Sequence, residues 1–222
     1  ESSNFPMTAR SARSAGRVRP KDLEKRAAIL AAAKHLFPVH GFEGTSMDAI
    51  AALANVSKLT VYSHFKDKES LFTEAIREKC MEQMPEELFD VAVDGSIREQ
   101  LLAIARAFFR LITSEESMSL LRLLASGAGD TRKLGQMFWT AGAQLIQEEF
   151  AGFLRRKVEV GQLAVVDVER SASQFFCLVK GELHARQLCG FCANEFSEAE
   201  IDAHLKASVD FFLRACTPRA GT

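Results

Sequence analysis

The chain has 222 residues, 28 Lys and Arg against 29 Asp and Glu, a formal charge of −1 and 47% apolar residues. These proportions are ordinary for a globular protein and exclude a disordered chain, a collagenous one and a strongly cationic nucleosome-type one. The near-neutral total hides an asymmetry, since residues 1–68 carry 11 Lys and Arg against 6 Asp and Glu, whereas residues 69–222 carry 17 against 23. A basic module joined to an acidic one invites a polyanionic partner for the first. No stretch approaches the ~18 consecutive apolar residues needed to cross a bilayer, so no membrane partner is expected. The first 20 residues are rich in Ser, Arg and Ala and lack the apolar core of a secretory signal. Five scattered cysteines, an odd number, do not describe a disulfide scaffold. The expected compartment is the cytoplasm.

In chain order, residues 1–20 read as a flexible basic arm, in which Arg10, Arg13, Arg17 and Arg19 either reach a neighbouring minor groove or form a plain tail. Leu23, Ala27, Leu30, Ala33 and Phe37 then recur at steps of three and four, an amphipathic helix that Pro38 and Gly41 bring to a close. Thr45 or Ser46 caps a short second helix over 47–54, and Asn55-Val56 makes a turn. Ser57 caps a third helix over 58–65. Asp67 caps a fourth from 68 to about 84, with Ser70 leaving its capping box incomplete. Helices follow over 97–113, 115–125 (a short one), 132 to about 158, 165–188 and 197–216. Residues 91–93 and 163–166 are β-branched runs too brief to make strands. The expectation is an all-α chain of about nine helices. Its parts are an arm (1–20), a helix-turn-helix module (21–68), a larger helical domain (69–216) and a tail (217–222).

Two short helices joined by a tight turn, directly after a longer one, form a helix-turn-helix unit whose second short helix fits the ~12 Å major groove of B-DNA. Lys58, Thr60, Tyr62 and His64 are polar candidates on that helix, while Thr45 and Lys68 lie at helix N-termini, where backbone N–H groups favour phosphate. Residue types alone leave DNA binding and an inert bundle both open.

The order Ala31-Ala-Ala-Lys-His-Leu-Phe37, Gly41-Phe-Glu-Gly-Thr-Ser-Met-Asp-Ala-Ile-Ala51, Val56-Ser-Lys58 and Val61-Tyr-Ser-His-Phe-Lys-Asp-Lys-Glu-Ser-Leu-Phe72 closely resembles the DNA-binding domain of the tetracycline-repressor (TetR/AcrR) family, over roughly residues 22–72. Asn55 stands where the family usually has Gly, and Leu59 where Gly or Pro is frequent. The resemblance implies a two-fold homodimer on palindromic double-stranded operator DNA, with a C-terminal helical domain that takes a small molecule. It also implies DNA contacts at Thr45, Lys58, Leu59, Thr60, Tyr62, His64 and Lys68. Of these, Lys58, Leu59 and Thr60 would read bases, and Thr45, Tyr62, His64 and Lys68 would mostly grip phosphate. The expected role is a ligand-responsive repressor, and control of efflux or stress genes is its base-rate use.

Of the 17 Phe, 12 lie after Lys79 together with the single Trp, a load that hints at a cavity for an apolar or aromatic compound. Phe108, Phe109, Met118, Phe138, Trp139 and Phe176 are the lining candidates, with Phe153 and Phe175 beside them; aromatic stripes at helical spacing also serve as plain core. Ile201, Leu205, Ser208 and Phe212 form one stripe, and Phe175, Leu178, Leu183 and Leu188 another. They cover either the monomer core or a dimer surface. The resemblance implies a four-helix dimer there, and Phe175, Leu183, Ile201, Leu205 and Phe212 are its expected residues. Cys189-Gly-Phe-Cys192 has the spacing of half a zinc site, but no second ligand pair exists, so no metal and no cofactor is expected. The absence of G-x-S-x-G, P-loop, G-x-G-x-x-G and H-E-x-x-H patterns argues against an enzyme.

Overall fold

The computed structural model describes residues 20–90, 95–126, 131–191 and 196–217. Among them the chain forms nine helices and no strand. These are α1 (Pro20–Gly44), α2 (Met47–Leu53), α3 (Lys58–His64), α4 (Lys68–Gln83), α5 (Ile97–Thr113), α6 (Glu115–Ala125), α7, α8 (Val168–Leu188) and α9 (Glu198–Cys216). Helix α7 runs as Thr131–Phe138, a π-helical turn Trp139–Ala143, and Gln144–Glu159. A 3₁₀ turn, Glu86–Phe89, follows α4. Residues 1–19, 91–94 and 218–222, which hold the basic arm, one β-branched run and most of the tail, lie outside the described residues, as does Cys192.

Local polar signals delimit the first helices. The Ser46 hydroxyl accepts from the Ala49 N–H at 3.0 Å, and that of Ser57 from the Thr60 N–H at 3.1 Å, each cap worth about 1 kcal/mol. Asn55 sits at φ 52°, the left-handed turn conformation that Asn tolerates better than other residues with a Cβ. Before α4 the capping box is complete: the Ser70 N–H donates to Asp67 Oδ1 at 2.8 Å, and the Asp67 N–H donates to the Ser70 hydroxyl at 3.2 Å. A serine hydroxyl therefore does what Glu or Gln usually does. Helix α1 differs from expectation by continuing past Pro38, and the break falls at Gly41 (φ 71°, ψ 175°). Only glycine adopts that conformation cheaply, and a Cβ there would lie 3.0 Å from Leu123 Cδ2 on α6.

Two aromatic cores organise the packing. Phe37 and Phe42 from α1 meet Phe72 of α4 at ring distances of 5.0 and 5.4 Å. Phe150 of α7 is fully buried against Phe175 (4.6 Å) and Phe176 (5.1 Å) of α8, and Phe175 continues to Phe212 of α9. Helix α5, packed against α4, α6, α8 and α9, runs between these cores.

Helix α8 is broken at Gly181 (φ 48°, ψ −156°), where a Cβ would stand 2.3 Å from His204 Cε1 of α9. Carbonyl groups at the break need partners. Ser208 Oγ donates to the Leu178 carbonyl at 3.1 Å and His204 Nε2 to that of Val179 at 2.9 Å.

Candidate functional site

The outward face of α3 is built by what its inward face must bury. Val61 and Phe65 close the small core, so positions on the other side of the helix point to solvent: Leu59 is 80% exposed, and Lys58, Tyr62 and Ser63 are exposed beside it. Lys58 Nζ pairs with Asp48 of α2 at 2.9 Å, an exposed pair whose hydrogen bond raises the lysine pKa. The Thr60 hydroxyl lies 2.8 Å from that of Ser57. Lys68 Nζ donates to the Phe42 carbonyl at 2.8 Å and lies 4.4 Å from the centre of the Phe42 ring, so the first turn of α4 is tied to the end of α1.

Two expected contacts change role in this geometry. Thr45 is 1% exposed, and its hydroxyl donates to the Gly41 carbonyl at 2.7 Å; the side chain locks the corner between α1 and α2 instead of facing outward. The exposed hydroxyl at the start of α2 is that of Ser46. His64 is tucked toward α1, its Nε2 lying 3.2 Å from Asp22 Oδ1 without hydrogen-bond alignment.

A cavity of about 460 Å³ lies between α1 and α4 on one side and α5, α6, α7 and α8 on the other. That size suits a small-molecule site, for which ~300–1,000 Å³ is usual. Phe108, Phe138 and Trp139 line it, with Trp139 47% exposed. Phe109, Met118 and Phe176 do not. Phe109 is buried toward the His204 ring of α9, and Phe176 stacks behind Phe108 at 4.3 Å. Phe153 and Phe175 are fully buried in the second core.

The polar part of the lining escaped the sequence reading. Lys34 lies 2.9 Å from Glu78 Oε2 and 2.7 Å from Glu82 Oε1, and Lys79 lies 2.9 Å from Glu116, whose carboxyl that hydrogen bond holds below its ordinary pKa. Lys180 and His184 add basic groups from α8. Burial pushes the Cys80 thiol up to about 11 and leaves it unreactive. The π turn of α7 crosses α4 closely, since a Cβ on Gly142 would stand 3.1 Å from Ile76 and 3.3 Å from Cys80 Sγ.

Three of the five residues expected at a dimer surface turn into the subunit's own core. Phe175, Leu205 and Phe212 are buried within the subunit's own core, and Leu183 and Ile201 are half-buried. The solvent face of α9 instead shows Ala203, Ala207 and Phe211, the last 56% exposed, and that of α8 shows Cys177 and Ala185. Apolarity alone cannot separate a core-facing stripe from an interface, because both exclude water.

Residues 29–75 match the bacterial regulatory proteins of the tetR family, and residues 99–217 match the AefR-like transcriptional repressor C-terminal domain. The chain belongs to the TetR family. It is a transcriptional regulator and not an enzyme. Among relatives, the uncharacterised HTH-type transcriptional regulator YdeS of Bacillus subtilis (strain 168) is 29% identical over 156 residues, 70% of this chain and 76% of that protein. A TetR-family regulator from Mesorhizobium loti MAFF303099 superposes with a TM-score of 0.73 at 27% identity, over 90% of this chain and all of that one. The flavonoid-responsive regulator FrrA superposes at 0.67 with 32% identity, over 88% of this chain and 98% of that one.

Proposed function

We propose that this regulator is a homodimeric repressor which holds a palindromic operator with α3 of each subunit and releases it when an apolar ring compound enters the cavity. The observation that carries the reading is the composition of the cavity wall. Ala33, Phe37 and Phe72, from the helices that support α3, share one space with Phe108, Phe138 and Trp139 of the larger domain. An occupant touching both sets biases the tilt of α1 and α4, and with it the ~34 Å separation of two recognition helices that a palindrome demands.

On DNA, Lys58, Leu59 and Thr60 face base edges, and Tyr62 and Lys68, with Ser46 added by its exposure, face phosphates. Lys58 must exchange its Asp48 partner for a base or phosphate on binding. The dimer forms through the outward face of α8 and α9, where Ala203 and Ala207 allow close helix approach and Phe211 supplies apolar area. FrrA's flavonoid response supports an aromatic compound as the effector class here.

The test is fluorescence anisotropy of a labelled duplex carrying the chain's own upstream intergenic DNA, titrated over a range of salt, with naphthalene then added to the complex. Binding that weakens with salt, release by naphthalene and parallel quenching of Trp139 are expected. Salt-independent binding, or quenching without release, rejects the reading.

A further inference from the structure

Charge balance around the cavity is uneven. Three lysines line it, and two of them already have carboxylates: Lys34 with Glu78 and Glu82, and Lys79 with Glu116. Lys180 has no ion-pair or hydrogen-bond partner among the described residues, and neither does His184, the other basic group of the lining. Burial, reinforced by the Lys180 charge, lowers the His184 pKa from its ordinary 6.5, so the imidazole is largely neutral near pH 7 and offers one donor and one acceptor. The rest of the wall is dominated by apolar side chains, among them Phe108, Leu120, Phe138 and Ile146. A half-buried ammonium beside such a surface lacks the compensation that its two neighbours possess, and an anion entering the cavity would supply it.

The wall carrying both groups is also held in place. Gly181, between them in sequence, interrupts α8, and α9 satisfies the adjoining carbonyls through His204 and Ser208. Backbone held just ahead of a binding group reduces what ordering costs when a ligand arrives.

We propose that the cavity selects flat aromatic acids, seating a carboxylate or phenolate against Lys180 and His184 while the ring system lies among Phe108, Phe138 and Trp139. This rests on the cavity being the effector site and deepens it by naming the chemical class. The ligand's acidic group takes the place that Glu116 holds for Lys79. Neutral ring compounds enter the same space but bind more weakly.

The experiment uses the full chain and two matched pairs, 2-naphthoate with 2-naphthamide and 4-phenylbenzoate with 4-phenylbenzamide, titrated against Trp139 fluorescence and by calorimetry. Each acid is expected to bind at least about tenfold tighter than its amide, the worth of one charge-assisted hydrogen bond. Lys180→Met should erase that ratio chiefly by weakening the acids, and Lys180→Arg should restore most of it. Circular dichroism confirms that both variants fold. Equal affinity of acid and amide in the wild type, or a ratio that survives Lys180→Met, overturns the proposal and leaves the cavity as a neutral apolar site. No binding by any of the four probes overturns the effector-site reading together with the proposal.

Discussion

The helices around the turn and the helices around the cavity are specified in different ways. Between Ser46 and Ser70 three helix starts are each fixed by a hydroxyl or carboxylate within three residues, so the geometry of α2, α3 and the start of α4 is settled locally. The larger domain rests on Phe108, Phe150, Phe175, Phe176 and Phe212, contributed by four helices and meeting across long sequence separations. Short-range capping gives a rigid reading head from few residues. Long-range aromatic packing gives a shell that can leave space unfilled.

The strongest way to break this contrast is to attack the long-range core. Phe150→Ala, at a fully buried ring packed on Phe89, Phe153, Phe175 and Phe176, should cost about 3–5 kcal/mol in urea unfolding. An effect below about 1 kcal/mol would mean that the shell tolerates loss as the capped module does.

Next come two charges on opposite faces of α9. Leu205→Glu buries an unpaired carboxylate and should unfold the domain, whereas Phe211→Glu should keep helicity and melting temperature but yield monomers by sedimentation and lose operator affinity. A folded monomer from Leu205→Glu would restore that stripe as the interface.

At the reading head, Lys58→Ala should relax preference at one base pair per half-site. Lys68→Ala should weaken cognate and random duplexes alike and shallow the salt slope by about one unit. If both variants lose affinity uniformly on every sequence, Lys58 is a phosphate contact.

The smallest expected effect concerns the cap of α4. Hydrogen bonds from the Ser70 N–H and then the Ser70 hydroxyl lower the Asp67 pKa below 3.8. A depressed carboxylate contributes stability that is present above its unfolded pKa and lost as pH falls through the folded one. The melting-temperature gap between wild type and Asp67→Ala should therefore be full near neutral pH and close as the pH drops below 3.8. A gap that widens in acid would remove the charge from the capping interaction.

Legibility in the sequence followed the same division. Asn55, Ser57, Asp67 and the bounds of α5 and α6 could be read because their signals lie within one turn of what they control. The burial of Thr45 is not legible because it depends on the Gly41 break four residues earlier, which no periodicity marks. Leu205 and Phe212 leave monomer core and dimer surface both open in the sequence, because a helix wheel shows which residues are apolar, not which neighbour they meet. Phe108, Phe138 and Trp139 were found among candidates that also included plain core, since a cavity is defined by what several helices fail to fill. Lys180 and His184 carried one faint signal, a basic residue and a glycine directly after the apolar run 175–179.

The π turn in α7 holds one residue more than the α-helix on either side would need. Removing a residue from an ordinary helix swings everything beyond the cut by ~100°, which in Gln144–Glu159 would turn Phe150 and Leu154 out of the core. A deletion at Thr140, whose side chain is exposed, has slack to draw on: the wide turn can close into a regular one with both flanks keeping their faces. Helix α7 thus contains one place where chain length is negotiable. That place is the wall opposite α4, so shortening it would resize the chamber at Trp139 and Gly142 while the scaffold stays standing.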